Sequence, residues 1–290
     1  MLLSDASRRC YKHSVLGRAD LHSHTTLSDG LLSPSELLDA ARRAGVSILS
    51  ITDHDTLAAY DELPPGDLGL ELVMGLELSA FHDGSEVHIL GYFVDPASPP
   101  LAALVERAVA GRIARARRIL ERLAAAGVRI PEERQTELLA NNRVGRPHIA
   151  RAMVQAGAVG STKEAFRFWL TPGTPGYERR PDLPDGREAV RAIVAAGGVA
   201  SLAHPGTDVM FDPKPLDELI GAGLAGLEVH HPRHSRSETE KLERFARGRG
   251  LVPTGGSDFH GEGKEGTRLG EVGVGQDTVD ALLRARRRAA

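Results

Sequence analysis

Cysteine is nearly absent from this chain, and long apolar runs are missing. Cys10 is the single cysteine among 290 residues, so no intrachain disulfide can form. This fits a reducing compartment, and we expect a cytoplasmic protein. No apolar run approaches the roughly 20 residues of a membrane span, so no membrane partner is expected. Residues 1–18 lack the apolar stretch of a signal peptide and are interpreted as an N-terminal extension.

A strong net charge is also lacking. The formal charge of −3 gives no overall field that favours nucleic acid, so duplex DNA is not an expected partner. Binding of a nucleotide or a short RNA end would depend on local positive groups, including bound cations. Hydrophobic residues make up 41% of the chain, enough for a sizeable core, and the length suits one large α/β domain.

Short runs rich in Val, Ile and Leu alternate with helical patterns over most of the chain. This alternation predicts βα units and a mostly parallel sheet, as in an α/β barrel. Between about residues 99 and 180 the pattern is purely helical. We therefore expect barrel segments at residues 19–98 and 181–290, with a helical insertion at 99–180 that covers the barrel mouth as a lid. The charges of its first helix are interpreted as a solvated face.

Histidine and carboxylate side chains occur near the ends of six predicted strands. His22 and His24 are two residues apart, so on a strand they project to the same face. Because the carboxyl ends of barrel strands meet at one face, these groups should converge there. Such a cluster would be costly to bury without cations, and we therefore predict a metal site. The nine candidate ligands are His22, His24, Asp29, His54, Glu77, His88, His204, Asp258 and His260.

The donor types narrow the choice of ion. Imidazole with carboxylate and without thiolate suits Mn, Fe or Zn better than Ca or a purely Mg site, with Mg kept as an alternative. At three or four ligands per ion, nine donors can hold two or three divalent ions. Glu77, the single glutamate of the set, is the expected bridge between ions.

Four short motifs follow one another between Asp20 and Gly261. They are Asp20-Leu21-His22-Ser23-His24 with Ser28-Asp29-Gly30, Thr52-Asp53-His54-Asp55, Ala203-His204-Pro205, and Ser257-Asp258-Phe259-His260. These motifs resemble those of the PHP (polymerase and histidinol phosphatase) superfamily. The resemblance implies a distorted seven-stranded (β/α) TIM-like barrel with a trinuclear metal site. It implies one ion on His22, His24, Glu77 and Asp258, a second on Glu77, His88 and His204, and a third on Asp29, His54 and His260.

The chain more closely resembles the stand-alone group of this superfamily, which includes nucleotide phosphatases and a 5′–3′ exoribonuclease. Gly145-Arg146-Pro147-His148 and Gly226-Leu227-Glu228-Val229 are similar to additional motifs of that group. The resemblance implies a metal-dependent phosphoesterase acting on a nucleotide phosphate monoester, such as AMP or a 3′,5′-bisphosphonucleoside. Two neighbouring cations lower the pKa of a shared water, and the hydroxide formed would attack phosphorus in line.

Arginine and histidine side chains next to the insertion are candidate phosphate ligands, since a guanidinium group can bind two phosphate oxygens. The family resemblance favours Arg146 and His148, whereas Arg143 and Arg180 could also be solvated or paired with glutamate. His231 could bind phosphate or protonate the leaving oxygen, with a structural hydrogen bond as the alternative. The predicted catalytic residues are Asp258, His231 and Arg146, and the predicted substrate-binding residues are Arg143, Arg146, His148, Arg180 and His231.

Other functions stay open at this point. A 5′–3′ exoribonuclease acting on short RNA needs the same ions and few contacts to a single strand. Histidinol phosphate hydrolysis is less favoured because the helical insertion suits the nucleotide group better. A non-catalytic metal-binding module would require a broken ligand set, and none of the nine ligands is missing. Metal-dependent C–N hydrolysis usually adds a bridging lysine on a strand, and the predicted strands offer none at a matching place.

Overall fold

The computed structural model describes residues 18–140, 143–180, 183–210, 212–261 and 267–289. Apart from Arg18, the expected N-terminal extension lies outside the described residues. Within them, no helix is both long enough and apolar enough to cross a membrane.

Eight strands form two sheets, and both sheets contribute to the candidate site. The first sheet is parallel, in the order β1 (Ala19–Asp20), β2 (Ile48–Leu49) and β3 (Glu71–Leu72). The second runs in the order β4 (Gly75–His82), β5 (Ser85–Tyr92), β6 (Val199–Leu202), β7 (Gly226–His230) and β8 (Val252–Gly255). Strands β6 to β8 are parallel, whereas β5 is antiparallel to both of its neighbours.

The two sheets are linked by short bridges just beyond their strand ends. Ser23 pairs with Phe259 after β8, and His54 pairs with Glu77 of β4. These links bring the carboxyl ends of β1, β2 and β8 together. The expectation of a mixed α/β fold is confirmed, but the described strands form two bridged sheets and no continuous closed barrel.

A tight hairpin joins β4 and β5. The two-residue turn Asp83-Gly84 has positive φ at both positions, 43° and 80°, as a type I′ turn requires. The sequence here predicts a hairpin turn before the strand that carries His88, and the structure confirms it. The hairpin sets Ser79 opposite His88 and Glu77 opposite Leu90, so Glu77 and His88 lie on neighbouring strands.

Five helices alternate with the strands of the two sheets. Ser33-Pro34-Ser35-Glu36 predicts a helix start, and Ser33 and Glu36 form a reciprocal capping box there. Gly45, with φ of 72°, follows the end of this first helix. The five helices are α1 (Pro34–Arg43), α6 (Gly186–Ala195), α7 (Lys214–Gly221), α8 (Arg236–Gly248) and α9 (Gln276–Ala289).

The stretch between β5 and α6 contains helices alone among its described residues. They bury an apolar cluster of their own that includes Ile119, Leu123, Ile149, Met153 and Leu170. A π-helical turn, a form often found at functional sites, follows the last of them. The elements are α2 (Pro99–Ala125), α3 (Glu132–Ala140), α4 (Arg146–Gln155), α5 (Thr162–Ala165) and the π turn (Phe166–Leu170).

Candidate active site

Two imidazoles form the centre of the site. His22 and His24 follow β1, are fully buried, and bring their Nε2 atoms within 3.2 Å of each other. Glu77 Oε2 lies 3.4 Å from the first Nε2 and 3.3 Å from the second, and Asp258 Oδ1 lies 3.3 and 3.2 Å from them. In an ideal tetrahedral site, four donor atoms at about 2.0–2.2 Å from the ion lie about 3.3–3.6 Å from one another. The distances between the four donor atoms here are close to these values.

Glu77 connects this centre to a second group of histidines. Its Oε1 lies 2.9 Å from His88 Nδ1 and 3.1 Å from His204 Nε2. Its Oε2, besides contacting the first pair of imidazoles, lies 2.9 Å from His54 Nδ1. Because the two oxygens contact different imidazoles, this carboxylate has the geometry of a bridge between two ions.

A third group of donors lies next to the first. His260 Nε2 is 3.2 Å from Asp29 Oδ1, and the donor atoms of His24, Asp29, His54 and His260 all lie within 4.8 Å of one another. His54 also falls within such a group with Glu77 and His88. The structure therefore brings all nine sequence-predicted donors into one cluster, with His54 able to serve either of two ions.

Hydrogen bonds at Nδ1 orient several of these rings. His22 Nδ1 lies 2.9 Å from Glu228 Oε1, and His260 Nδ1 lies 2.8 Å from the carbonyl oxygen of Asp258. An Nδ1–H that donates to an oxygen leaves the Nε2 lone pair for a metal ion. Glu228 also accepts a 2.7 Å hydrogen bond from the backbone N–H of His204, so one carboxylate positions two candidate ligands.

The electrostatics favour ionised carboxylates. Burial opposes the ionisation of Glu77 and Asp258, but the surrounding imidazoles hold the pKa of each well below its ordinary value. Burial, with help from a neighbouring histidine charge, lowers the pKa of His24 to about 3. Burial also acts to lower the pKa of His22, but adjacent carboxylates raise it well above 6.5. A cation bound between the two rings would favour the neutral form of both.

Several buried donor atoms lie close to one another but form no well-aligned hydrogen bond within the described residues. These are Glu77 Oε2, His54 Nδ1 and His88 Nδ1. Buried polar atoms are normally hydrogen-bonded because their desolvation is costly. Cations shared by the carboxylate and the imidazoles would satisfy all three atoms. This donor set, without thiolate, fits divalent ions such as Mn, Fe or Zn.

Two further aspartates of the motifs hold the ligand-bearing loops in place. Asp20 accepts hydrogen bonds from the backbone N–H groups of Ser257 and Gly270, at 2.9 and 2.8 Å. Asp53 accepts a 2.7 Å bond from the backbone N–H of Thr25 and a bond from the hydroxyl of Ser28. These carboxylates fix the loops after β1 and β8 and lie outside the groups of candidate metal donors.

A cavity of about 280 Å³, named here the arginine cavity, opens next to the candidate metal donors. Asp29, Glu77, Asp258 and four of the histidines line it, so a bound substrate would contact the cluster directly. Its five arginines come from helices α2 and α4 and from two loops. They are Arg112, Arg115, Arg146, Arg180 and Arg233.

A buried aspartate holds two of these arginines. Asp55 Oδ2 lies 2.6 Å from Arg112 Nη2 and 3.4 Å from Arg180 Nη1, and Asp55 Oδ1 accepts a 2.7 Å bond from the backbone N–H of Ser79. Burial opposes ionisation here, yet Arg112 and then Arg180 lower the pKa of Asp55 to about 2. Asp55 directly follows His54, so this ion-paired cluster joins the arginines to a candidate metal ligand.

The other predicted substrate-binding residues differ in position. Arg146, the first residue of α4, lines the arginine cavity and reaches the carbonyl oxygen of Leu170 at 3.4 Å. Arg143 and His148 are not among the described residues that line it. Arg143 Nη2 lies 4.0 Å from Glu62 Oε1, because the loop before α4 turns it toward the 3₁₀ turn Ala58–Glu62. His148 Nδ1 accepts a 3.2 Å bond from the Gly145 N–H at the start of α4.

His231 lies behind Asp258. Its Nδ1 accepts a 3.1 Å hydrogen bond from the backbone N–H of Arg233, so Nε2 carries the proton and donates to Asp258 Oδ2 at 3.3 Å. His231 is buried and is not among the described residues lining the arginine cavity. In this arrangement His231 acts on the orientation of Asp258.

Four residues of the candidate site escaped the sequence analysis, and one of them is Arg233 in the loop after β7. Arg112 and Arg115 belong to the helix whose charges were interpreted as solvated, but they share a face with buried Ile119. Arg112 and Arg115 are three residues apart, and Ile119 follows four residues later. This helical spacing was the available signal. Glu228 is a charged residue inside an otherwise buried strand, and such a residue needs a polar partner.

The sequence matches known proteins along most of its length. The PHP domain family model matches residues 20–154. A 3′,5′-nucleoside bisphosphate phosphatase of Chromobacterium violaceum is 36% identical over 265 residues, 89% of this chain and 92% of the relative. A 5′–3′ exoribonuclease of Haemophilus influenzae is 35% identical over 274 residues, 91% of this chain and 96% of the relative. The chain therefore belongs to the PHP domain family.

A solved structure agrees with these matches. A protein of Bifidobacterium adolescentis, named as a metal-dependent phosphoesterase, superposes with a TM-score of 0.82 at 34% identity. The superposition covers 92% of this chain and 96% of that protein. The similarity therefore extends over both the two bridged sheets and the helical stretch.

Proposed function

We propose that this protein is a metal-dependent phosphoesterase that releases phosphate from nucleotides. The observation that carries the proposal is a single cavity lined by imidazole and carboxylate donors and by five arginines. When bound, divalent cations would lower the pKa of a water and neutralise charge on the phosphoryl group. Guanidinium groups bind phosphoryl oxygens in pairs. The phosphatase and exoribonuclease relatives are named for hydrolysis of phosphate esters.

Nine side chains are proposed to hold two or three divalent ions. Mn, Fe or Zn are preferred on ligand chemistry, and Mg is the alternative. Divided as the family resemblance implies, the proposed ligands are His22, His24, Glu77 and Asp258 for the first ion, Glu77, His88 and His204 for the second, and Asp29, His54 and His260 for the third.

Residues around the ligands are proposed to orient them and the substrate. Asp258 is the proposed catalytic carboxylate, and His231 fixes it through the Nε2–Oδ2 hydrogen bond. Arg146 and Arg180 are proposed to bind phosphoryl oxygens, together with Arg115. The buried Nη2 of Arg115 has no hydrogen-bond partner within the described residues, and a phosphate oxygen would supply one. Arg143 and His148 stay candidates for more distant parts of a longer substrate.

The number of arginines favours a substrate with more than one phosphate. Five guanidinium groups line a cavity of about 280 Å³, more than one phosphoryl group needs for bidentate contacts. A 3′,5′-bisphosphonucleoside satisfies this better than AMP. The Chromobacterium violaceum relative carries the name of such an activity.

A second candidate function, 5′–3′ hydrolysis of short RNA, is favoured by the charge of the helical stretch. Residues 99–180 hold 15 of the chain's 36 lysines and arginines but only seven of its 39 aspartates and glutamates. The stretch therefore has a formal charge of +8, and a polyanionic strand would be attracted to it.

The domain organisation is proposed on the same grounds. The two bridged sheets, in residues 19–98 and 181–290, represent the distorted barrel, and residues 99–180 form a helical insertion over the site. Support comes from the separate apolar cluster of the helices and from the arginines that α2 and α4 contribute to the cavity. A cytoplasmic location stays a prediction from the sequence.

Metal analysis combined with a phosphate-release assay tests the proposal. Protein purified without chelators should contain divalent metal and hydrolyse AMP, a 3′,5′-bisphosphonucleoside or a 5′-phosphorylated pentanucleotide. The preferred substrate distinguishes the two candidate functions. His24→Ala and Asp258→Asn should lose metal and reduce turnover by on the order of 10²–10³-fold or more.

Asp39→Asn, at an exposed ion pair on α1, is the control and should keep both metal and turnover. Full activity in both ligand variants, or wild-type protein that hydrolyses none of the three substrates when loaded with Mn, would contradict the proposal.

A further inference from the structure

A second cavity lies beside the arginine cavity and shares Glu86, His88 and His204 with it. Its volume is about 410 Å³, within the roughly 300–1,000 Å³ typical of small-molecule sites. Both cavities border the same two imidazoles of the candidate metal cluster. The two cavities are therefore adjacent at the candidate metal cluster.

The walls of this second cavity, named here the apolar cavity, are mostly hydrophobic. The larger apolar side chains in these walls are Val87 of β5, Leu202 of β6, Val209, and Leu216 and Leu219 of α7. The three leucines belong to the main core, and the two valines are partly buried against it. Apolar walls stabilise a planar group of low polarity, such as a nucleobase, by removing its faces from water.

Charge distinguishes the two cavities. Neither arginine nor lysine occurs among the described residues that line the apolar cavity. Its carboxylates are Asp83, Glu86 and Asp212, and its three imidazoles are His82, His88 and His204. A phosphate there would meet charges of its own sign, whereas hydroxyl and amino groups could donate hydrogen bonds to these carboxylates. The arginine cavity, with five guanidinium groups, has the opposite preference.

We propose that the apolar cavity binds the nucleoside part of the substrate. The base lies against Val87 and Leu219, the ribose hydroxyls or base amino groups donate to the carboxylates, and the phosphates lie in the arginine cavity. This inference rests on the proposed function, since it assumes a nucleotide substrate. The inference adds that the apolar cavity discriminates between a nucleotide and a simple phosphate ester. Among the residues that line it, only His88 and His204 are candidate metal donors.

Binding of free adenosine tests the proposal without relying on turnover. Adenosine and inorganic phosphate are titrated separately into wild-type protein and into Val87→Trp, which fills the apolar cavity with an indole. We expect the Kd of adenosine to rise by about tenfold or more, while phosphate binding is retained. Val194→Phe, a partly buried valine on the same core that lines neither cavity, is the matched control and should bind adenosine like the wild type.

A second variant covers the case in which Val87→Trp does not fold. Ser85→Tyr adds a ring at the exposed mouth of the cavity and should weaken adenosine binding in the same direction. In the phosphate-release assay, kcat/KM for AMP should fall relative to kcat/KM for glycerol phosphate in either variant, because glycerol phosphate has no base to place in the apolar cavity.

Wild-type protein that does not bind adenosine at millimolar concentration, or variants that bind it as the wild type does, would overturn the proposal. Failure of the proposed function looks different, because Mn-loaded wild-type protein would then release no phosphate from any nucleotide while the adenosine titration could still succeed.

Discussion

The helical stretch and the remainder of the chain carry opposite charges. Residues 99–180 have a formal charge of +8, whereas the rest, with 21 basic and 32 acidic residues, has −11. The candidate metal donors all belong to the acidic part, whereas four of the five cavity arginines belong to the basic part.

This difference shows how the site divides its chemistry. Cations need a cluster of acceptors, which the strand ends supply in a buried and rigid setting. The phosphate groups of a substrate need donors, and in the proposed function the arginines of the helical stretch supply them. Most of the arginines and the acceptors lie on separate elements, although Arg233 Nη2 donates to Asp258 Oδ2 at 3.1 Å, and the contacts of Asp55 with Arg112 and Arg180 tie the two regions together.

The largest effect is expected where the two regions join. Asp55→Asn leaves Arg112 and Arg180 without their buried counter-charge, and we expect a loss of about 3–5 kcal/mol in the free energy of unfolding. Urea unfolding measures this loss. Because the folded pKa of Asp55 is about 2, below its ordinary value of 3.8, the wild type should hold this contribution above pH 4 and lose it as pH falls toward 2.

Glu188→Gln is the control for that measurement. It removes the exposed pair between Arg107 of α2 and Glu188 of α6, where N and O are 2.7 Å apart, and should cost about 0–1 kcal/mol. Equal small losses in both variants would show that the buried cluster does not hold the helices to the sheets.

An intermediate effect is expected in the acidic region. Glu228→Gln keeps the shape of the side chain but offers a single oxygen to His22 Nδ1 and the His204 N–H, so both ligands lose orientation. We expect Mn affinity to fall by about 10–100-fold, measured by competition with a chelator. Glu243→Gln, at an exposed pair with Arg247, should leave that affinity unchanged. Equal affinities in the two variants would remove Glu228 from the site.

The smallest effect is expected in the basic region. Arg115→Ala removes one of five guanidinium groups, and we expect KM for the nucleotide to rise by about tenfold, since a hydrogen bond to a charged group contributes about 1.5–3 kcal/mol. The kcat should change less than KM, because the metal donors are untouched. Arg117→Ala, exposed on the same helix, is the matched control. A rise in KM of the same size in both would indicate general charge attraction by α2.

Local features of the fold follow from short stretches of sequence. The start of α1 at Ser33–Glu36 and the reversal at Asp83-Gly84 depend on a few adjacent residues, so their signals lie within the turn itself. The convergence of His22, Asp258 and their partners could be anticipated because parallel strands must expose their carboxyl ends on one side. Arg112, Arg115 and Glu228 could not be assigned in this way, since their roles depend on which face of an element packs where.

The sequence by itself determined the donor types, their order along the chain and the family to which they belong. Only the tertiary structure decided that Glu77 presents each oxygen to a different set of imidazoles, that Arg112 faces the site while Arg143 lies beside Glu62, and that an apolar cavity adjoins an arginine-lined one. The reason is the sequence distance over which each feature is set. Caps, turns and strand ends are set by neighbours in sequence, whereas the site is set by residues up to 238 positions apart, from His22 to His260, whose separation in space depends on the packing of the whole chain.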